Sequence, residues 1–341
     1  MTFKKYLLYG EFWEGTHIDS ISKVLREKKI DYEIFDFFPL IHKQFGSRIA
    51  NATYRKLFYQ KNEKKINNEL IKRIEEYKPD VFFISKGLNI FPDTLQYIKK
   101  KSIIIANWNP DDFFNKYNSN LNLLNSLNIY DIVFSARKHL FHEYKTKGIK
   151  NPIYLEWYFL PWLHFKPNEF KDDIKKITFI GTYSKRREEI INGIQTEIPI
   201  EIWGDQWQFS KLKYKKRIIL HGKSLPQSIF PEIISSSLLN LNILTQENRD
   251  NTNLKIFEIP ASYGILLSET TDMIKEIFDQ KCFYFNPNIN DDLSYQISNI
   301  LSSYSLDDLK RIKQTTYDYI INSKNDIGSR VDTFISHIEM L

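Results

Sequence analysis

Short runs of β-branched and aromatic residues recur along this chain, and each is followed by a longer stretch with the spacing of an amphipathic helix. This alternation is typical of α/β proteins built on parallel sheets. The runs are almost entirely apolar, as in Val81–Ser85, because helices cover a parallel sheet on both faces. At 341 residues the chain is long enough for about two such domains.

Two series of strands are predicted. The first consists of Tyr6–Gly10, Tyr32–Phe37, Val81–Ser85, Ile103–Asn107, Asp131–Ala136 and Ile153–Trp157. The second consists of Ile177–Gly181, Ile200–Gly204, Arg217–Gly222, Leu238–Ile243, Gly264–Ser268 and Cys282–Asn286. Between them, Leu160–Asn168 contains prolines that interrupt both periodicities, and the charged Lys171–Lys176 follows. This stretch is predicted to be the linker.

The predicted architecture is therefore α/β, with two Rossmann-like open parallel-sheet domains that face each other across a cleft. The domains are residues 1–165 and 166–341; for the last helix, the alternative is that it packs back on the first domain. Ligands of open parallel sheets bind outside the carboxyl ends of the strands. The cleft is therefore the predicted functional site.

The amino-acid composition limits the cellular compartments and the classes of binding partner that fit this chain. The single cysteine, Cys282, excludes an internal disulfide and any multi-cysteine metal site, which suits a reducing cytoplasm. No run approaches the roughly 18 consecutive apolar residues of a membrane span. Lys and Arg number 48 against 42 Asp and Glu, and this net charge of +6 is spread in small clusters, which disfavours a nucleic-acid partner. Peripheral contact with the inner face of a membrane, through basic side chains of the first domain, is an additional alternative.

The second domain begins with a strand that ends in Gly181–Ser184 and leads into a helix that opens with two arginines, Arg186 and Arg187. A glycine lets the backbone approach a ligand closely, and a helix N-terminus with guanidinium groups attracts an anion. A diphosphate fits this description; the alternative is a solvated basic first turn with Ser184 as its N-cap. The second and third glycines of the dinucleotide fingerprint are absent.

Glu258 stands among apolar residues just before a nearly continuous apolar run, in the segment Asn253–Ser268. An unpaired carboxylate there would cost roughly several kcal/mol of desolvation, so it must have hydrogen-bond donors. Two vicinal ribose hydroxyls are one source; the alternatives are a salt bridge to Lys255 and the capping of a neighbouring loop. Pro260 lacks an N–H group, so the helix begins close to Ile256 or kinks at the proline, and either arrangement puts Glu258 near a helix N-terminus.

In their order, several stretches resemble the spore-maturation CgeB-like family of glycosyltransferases. In the second half these are Phe179–Gly181 with Arg186 and Arg187, Ile202–Gly204 with Trp207, Leu238–Leu244, Lys255–Ala261 with Gly264, and Ile277, Phe278 and Lys281–Phe285. In the first half, Lys78–Gly87, Asn107–Asp112 and Tyr130–Phe134 are similar to the family's N-terminal domain. Two departures stand out: family members often carry arginine where Lys255 stands, and a histidine where this chain has Ser323–Asn325. Lysine keeps the charge but loses the bidentate fork of arginine.

The resemblance implies a GT-B fold and the transfer of a sugar, a hexose or a related one, from a nucleotide-diphosphate sugar, with the UDP type favoured. The implied acceptor is a glycan, a lipid-linked molecule or a protein, and no cofactor or metal is implied. In this role Glu258 holds the ribose, Arg186 or Arg187 the phosphates, and Trp203 with Gly204 the base side. The other residues assigned to the nucleotide-sugar site are Gly181, Thr182, Tyr183, Asn253, Leu254 and Lys255.

Glycosyl transfer places negative charge on the leaving diphosphate, and the acceptor hydroxyl must lose a proton, so the first domain should present a base. Asp111 and Asp112 follow a predicted strand at its carboxyl end; the alternative is a turn in which they cap the next helix. His17, in the loop after the first strand, is the second candidate, with helix-terminal packing beside the Thr16 cap as the alternative. The other histidines, including His164, show no metal-ligand spacing and are predicted to be structural or surface residues.

Two further classes of function fit the same architecture. One is a sugar-nucleotide epimerase or hydrolase, which would convert the donor without any acceptor. The other is a non-catalytic nucleotide-sugar-binding protein, in which Asp112→Asn would leave binding unaffected.

Overall fold

The computed structural model describes residues 4–41, 53, 59–169, 176–214, 216–246, 249 and 251–341. The described residues divide into two compact units. The first consists of the residues up to Glu156, Arg249 and Ile327–Leu341; the second runs from Trp157 to Asp326, apart from Arg249. Of the charged stretch predicted to end the linker, only Lys176 lies within the described residues.

The first unit is built on an open sheet of six parallel strands in the order β2-β1-β3-β4-β5-β6. The strands are β1 (Tyr6–Gly10), β2 (Tyr32–Asp36), β3 (Val81–Ser85), β4 (Ile104–Trp108), β5 (Ile132–Ser135) and β6 (Pro152–Tyr154). Among the described residues before position 156, its helices include α1 (His17–Glu27), α2 (Phe38–Ile41), α3 (Tyr59–Tyr77), α4 (Pro92–Lys99), α5 (Leu121–Ser126) and α6 (Phe141–Thr146), with a 3-10 turn at Lys138–Leu140.

The central strands of this sheet are buried, which explains why they are nearly all apolar. Leu7, Phe82 and Ile105 come from three neighbouring strands and share one apolar cluster with Ile66 and Leu70 of α3. Burying a side chain of this size stabilises the fold by about 1.5–3 kcal/mol. The same strands would be unfavourable on an exposed surface, so the sequence pattern and the layered packing have one cause.

The second unit is also built on six parallel strands, in the order β12-β11-β10-β7-β8-β9. The strands are β7 (Ile177–Ile180), β8 (Ile200–Trp203), β9 (Ile218–Leu220), β10 (Leu239–Asn242), β11 (Leu266–Glu269) and β12 (Phe283–Phe285). The helices are α7 (Lys185–Gly193), α8 (Phe230–Ser236), α9 (Lys255–Ala261), α10 (Asp272–Phe278), α11 (Asp292–Ser303) and α12 (Leu306–Asn322), with 3-10 turns at Trp207–Phe209, Lys211–Tyr214 and Gln227–Ile229.

The last helix, α13 (Ile327–Glu339), belongs to the first unit. The ring of Phe334 lies 4.8 Å from that of Phe83 in β3. Lys28, just beyond the end of α1, forms an ion pair of 2.6 Å with Asp332. The helix therefore completes the cover of this sheet.

The two faces of the second sheet differ in polarity, because strand side chains alternate between faces. Phe179 and Leu241 lie in an apolar cluster with residues of α7 and α11. The other face carries buried polar residues: Thr178 shares a hydrogen bond of 2.7 Å with Ser237. Asn242, on the same face, leads to the carboxyl edge of the sheet, where the polar groups of the site begin.

The α/β prediction with two open parallel sheets is confirmed, and all twelve predicted strands are present. Some ends differ. The strand predicted from Gly264 starts at Leu266, because the Gly264 N–H donates to the Ile259 carbonyl and so ends α9. No helix in the described part of the chain combines the length and the apolar character needed to span a membrane.

Candidate functional site

The order of the second sheet reverses between β7 and β10. From β7 the chain moves outward to β8 and β9, and from β10 it moves outward the other way to β11 and β12. Such a reversal is where open α/β sheets bind ligands, at the carboxyl ends of the strands. Most of the predicted nucleotide-sugar residues follow these two strands, in 181–187 after β7 and 253–258 after β10, while Trp203 and Gly204 lie at the end of β8.

Arg186, in the first turn of α7, forms an ion pair inside the second unit. Its Nη1 and Nη2 donate to the two carboxylate oxygens of Glu269 at 3.0 and 2.5 Å, and Nη1 also donates to the Leu244 carbonyl at 3.1 Å. The Ser184 hydroxyl accepts the Arg187 N–H and so caps the same helix. This N-cap is part of the alternative predicted for this turn. A phosphate contact through these N–H groups of Arg186 would require the pair with Glu269 to open.

Arg187 joins the loops that follow β7 and β10. Its Nη1 donates to the Thr182 carbonyl at 2.9 Å, and its Nη2 donates to the Ile243 carbonyl at 2.9 Å and to the Thr245 hydroxyl at 3.1 Å. These contacts hold the two loops together. The contact of either arginine with phosphate stays a prediction.

Gly204 allows two backbone segments to meet beside these loops. Its φ is +148°, and a Cβ at this position would lie only 2.0 Å from the Gly181 carbonyl oxygen. The indole N–H of Trp207 donates to the same carbonyl at 2.8 Å, and the Tyr183 ring packs edge-on against Trp207. The structure therefore gives both glycines a packing role, and the base contact assigned to Gly204 stays a prediction.

Trp203 stacks on His221, with ring centroids 3.5 Å apart and planes 7° from parallel. The Trp203 indole N–H is buried and finds no hydrogen-bond acceptor among the described residues. Burial lowers the pKa of His221, with Glu201 acting in the opposite direction, so this ring is neutral at pH 7. The stack is a flat, uncharged aromatic pair.

Glu258 lies in the first turn of α9, near a helix N-terminus as predicted, and its carboxylate is buried. Lys255 donates a hydrogen bond to Oε2, so the salt bridge that was one predicted alternative is the contact observed. Nε2 of His164 lies 3.8 Å from Oε1. Burial raises the pKa of Glu258, but the opposing effect of Lys255 and His164 is larger. The pKa of Glu258 therefore lies below its usual value. The carboxylate is therefore charged at neutral pH.

A chain of amides lies beside this pair. Asn253 donates from Nδ2 to the Asn242 side-chain oxygen at 2.8 Å, and Asn242 donates to the Ser268 hydroxyl at 3.0 Å. Oδ1 of Asn253 is buried and finds no donor among the described residues. The Leu254 carbonyl accepts the Glu258 N–H at 3.0 Å and so begins α9. The polar face of the sheet therefore continues directly into the predicted site.

The first sheet also reverses, between β1 and β3, and His17 lies there as the first residue of α1. Its ring packs edge-on against that of Trp108, with centroids 5.2 Å apart, and the Thr16 side chain caps the helix. These contacts match the alternative in which His17 packs at the helix terminus. Burial and the nearby Lys86 lower the pKa of His17 to about 4, with Asp111 opposing them. The imidazole is therefore neutral at pH 7.

The two predicted aspartates of the first unit differ in their surroundings. The carboxylate of Asp111 forms an ion pair of 2.9 Å with Lys86. Asp112 is buried, and its oxygens accept the Phe114 N–H at 3.0 Å and Nε of Arg249 at 2.5 Å. Asp112 thus adopts the turn-capping arrangement, and Asp111 is the more open of the two.

At the reversal of the second sheet, three features combine: a charged buried carboxylate, an ammonium group and the N-terminus of α7. A carboxylate accepts hydrogen bonds from vicinal hydroxyls, and an ammonium near a helix N-terminus attracts phosphate. A ribose diphosphate carries both kinds of group. No cluster of three or more His, Cys, Asp or Glu side chains suited to a metal ion occurs within the described ranges.

Residues 186–334 match the family model described as glycosyl transferase-like. This stretch contains Arg186, Lys255, Glu258 and Glu269. No curated protein matches the sequence.

Solved structures match nearly the whole chain. Sucrose-phosphate synthase from Thermosynechococcus elongatus has a TM-score of 0.72 at 9% identity, over 99% of this chain and 98% of that one. An E. coli trehalose-6-phosphate structure bound with UDP-2-fluoro glucose has 0.69 at 12%, over 99% of each chain. Anabaena HepE in complex with UDP and glucose has 0.66 at 11%, over 99% of this chain and 100% of that one. The fold is that of the GT-B glycosyltransferases.

Sequence reasoning missed two side chains that shape the site of this GT-B fold. Glu269 ends β11 as a charged residue after an apolar run, so a signal existed, but its partner Arg186 lies far away in sequence. His164 lies in a proline-interrupted segment without periodicity, and no local pattern places it beside Glu258.

Proposed function

We propose that this protein is a glycosyltransferase that moves a sugar, a hexose or a related one, from a nucleotide-diphosphate sugar to a glycan, lipid-linked or protein acceptor. The GT-B fold and the glycosyl transferase-like match over 186–334 support this class of reaction. The observation that carries the proposal is the paired Glu258 and Lys255 in the first turn of α9, after the strand at which the sheet reverses.

In this proposal Glu258 binds the ribose. A carboxylate has about four lone-pair sites, and Lys255 occupies one of them on Oε2. The 3.8 Å distance from His164 to Oε1 is longer than a hydrogen bond, so Oε1 keeps its capacity to accept. Two vicinal hydroxyls would give the bidentate arrangement that offsets the cost of burying the charge.

Lys255 is the cation proposed to meet the diphosphate. It has three N–H donors, of which Glu258 uses one. Arg186 donates hydrogen bonds to Glu269, and Arg187 donates to Thr245 and to backbone carbonyls. The proposed role of the two arginines is therefore to hold the loops together and to add positive potential. The N-terminus of α7 favours negative charge at the same edge of the sheet.

We propose further that the departing diphosphate is stabilised by these protein groups without a metal, because charge develops there in the transition state and preorganised donors lower the barrier. A UDP-type donor is favoured, since two of the structures of similar fold carry UDP or a UDP sugar. The flat Trp203 and His221 pair supports the assignment of Trp203 to the base side.

For the acceptor, His17 and Asp111 remain the proposed bases. His17 is neutral at pH 7 and therefore able to accept a proton, and Asp111 is more open than Asp112. We keep the CgeB-like family as the proposed subgroup and the cytoplasm as the proposed location. The single cysteine supports a cytoplasmic location. The alternative is a cytoplasmic protein that contacts the inner face of the membrane.

The test is a thermal-shift and calorimetric screen with UDP, GDP, CDP and dTDP and their sugars. A ligand at 100 times its dissociation constant adds about 2.7 kcal/mol of stability, which is easily measured. One diphosphate class should bind, and its sugar should be consumed only with an acceptor. Rapid conversion of the donor alone would favour the epimerase or hydrolase, and absence of binding to all four classes would contradict the proposal.

A further inference from the structure

The chain from Trp157 to His164 packs within the second unit along the residues that surround α9. The Trp157 indole donates to the Thr252 carbonyl at 3.1 Å, just before α9 begins. The Phe159 N–H donates to the Asn325 carbonyl at 3.1 Å. The segment is therefore anchored at two points before it reaches His164.

His164 closes a short turn at the end of this segment. The N–H groups of Leu163 and His164 both donate to the Leu160 carbonyl, at 2.9 and 2.7 Å. The Leu160 N–H in turn donates to Nδ1 of the His164 ring at 3.0 Å. Because Nδ1 accepts this bond, the proton of the neutral ring lies on Nε2. The turn thus fixes both the orientation of the ring and its tautomer.

The Nε2 side of this ring faces the Glu258 carboxylate, 3.8 Å from Oε1. Phe230 packs edge-on against the ring, with centroids 5.0 Å apart, and only 6% of His164 is exposed. Lys255 approaches the same Phe230 ring at 5.3 Å and holds Oε2. The charged groups that act on the imidazole are thus Glu258 and Lys255, both on α9.

We propose that His164 is a positioning residue for the nucleotide: its Nε2–H dipole, 3.8 Å from Oε1, favours the orientation of the Glu258 carboxylate in which the remaining lone pairs meet the ribose hydroxyls. The inference rests on the proposed role of Glu258. Lys255 alone is a weak constraint, because its ammonium lies at the end of a long side chain with many rotatable bonds. A ring held by its own backbone turn adds a rigid N–H dipole that faces the other oxygen at 3.8 Å, and it needs no reorganisation when the ligand binds.

Two conservative variants separate this role from closure of the turn. In His164→Asn the amide oxygen takes the place of Nδ1 and keeps the Leu160 N–H satisfied, but the side chain is too short to face Glu258. In His164→Gln the amide N–H takes the place of Nε2 and faces Glu258. His164→Phe removes both contacts and keeps the ring packing with Phe230.

The probe is the tightest-binding of UDP, GDP, CDP and dTDP, measured by calorimetry on the full chain. We expect His164→Gln to bind it like the wild type, and His164→Asn and His164→Phe to bind it about tenfold more weakly, because the N–H dipole that orients the carboxylate is lost. The acid limb of the binding profile should move to higher pH in His164→Phe, because the Nε2–H dipole that faces the charged Glu258 carboxylate at 3.8 Å is lost. Thermal unfolding establishes that each variant is folded.

The result that overturns the inference is the reverse order, with His164→Asn binding like the wild type and His164→Gln binding weakly, since closure of the turn would then be the whole role. Equal binding by all three variants overturns it as well. If the wild type binds none of the four diphosphates, the proposed function fails instead. If the wild type binds and Glu258→Gln weakens binding while the histidine variants do not, only the present inference fails.

Discussion

Arg186 and Glu269 form a two-point ion pair that joins the first turn of α7 to the end of β11, with side chains only 19% and 11% exposed. Glu269 also accepts the Leu244 N–H at 3.1 Å, so one carboxylate connects three segments at the carboxyl edge of the second sheet. In a buried pair of this kind, each charge depends on the other for its solvation.

Removing one partner of this pair should therefore destabilise the fold. We expect Arg186→Ala to lower the free energy of unfolding by about 3 kcal/mol, because Glu269 is left buried and unpaired. Lys185→Ala is the matched control, since its ion pair with Glu189 is exposed and worth less than about 0.5 kcal/mol. Urea denaturation measures both. Unchanged stability of Arg186→Ala together with lost diphosphate binding would instead make Arg186 a direct ligand contact.

Two glycines of the second unit should respond in opposite ways to alanine. At Gly204 a Cβ would lie 2.0 Å from the Gly181 carbonyl oxygen, and φ is +148°, so we expect Gly204→Ala to cost at least about 2 kcal/mol. At Gly193, in α7, a Cβ meets no atom within 4 Å, and alanine should stabilise by up to about 1 kcal/mol. Thermal unfolding of the two variants gives the comparison. Equal effects would mean that the close approach at Gly204 relaxes without cost.

The sequence predicts the strands of both sheets because a strand buried on two faces requires a local sequence pattern, an apolar run of four to six residues. It does not predict α5 (Leu121–Ser126), whose asparagines and serine carry little helical periodicity; its start is fixed by the Asn120 side chain, which accepts the Leu123 N–H. Among site residues, Glu258 and Lys255 are close in sequence, and their salt bridge is one of the alternatives that the sequence predicts.

No local sequence pattern predicts the pairs of site residues that lie far apart along the chain. Glu269 lies 83 residues from Arg186 along the chain. His164 is brought to Glu258 by contacts of the backbone and of Trp157, in a segment whose prolines hide any periodicity. Such pairings are set by the topology of the sheet and by tertiary packing, so they are determined only when the elements come together.

Buried histidines should make the protein less stable in mild acid. The pKa of His164 falls from 6.5 to about 4 on folding, mainly through burial, and that of His17 falls likewise. Between these values the unfolded chain binds a proton that the folded chain does not, so stability decreases as the pH falls through this window. Each histidine contributes up to about 1.4 kcal/mol per pH unit.

The measurement is the free energy of unfolding in urea at several values from about pH 7 to about pH 5. The slope should be positive in this range, and it should become smaller in His164→Gln, which has one fewer histidine to protonate. An identical slope in the variant would show that His164 is protonated in the folded state.

Glu258→Ala should abolish turnover of the nucleotide sugar and leave the fold intact. The loss of two charge-assisted hydrogen bonds to ribose corresponds to about 3 kcal/mol, or about a hundredfold in affinity. The Lys255 ammonium is 27% exposed and can turn toward water when its partner is lost, so the fold is retained. Glu276→Ala, on the exposed side of α10, is the control and should behave as the wild type. Full activity in Glu258→Ala would remove the central assignment of the site.

Lys255→Met distinguishes the charge of Lys255 from its packing. Methionine keeps most of the apolar stem beside Phe230 but leaves Glu258 buried without its main cation, so the pKa of Glu258 should rise above its usual value. In the wild type this pKa is depressed, so the pair stabilises the fold above the unfolded pKa and that stability is lost in acid. In the variant the folded pKa exceeds the unfolded one, so the variant is penalised most at neutral pH. The difference in unfolding free energy between wild type and variant, about 3 kcal/mol near pH 7, should therefore shrink as the pH falls towards about 5. A difference that stays constant over this range would show that Lys255 acts through its packing on Phe230, and the ammonium would then have no special part in keeping Glu258 charged for the ribose.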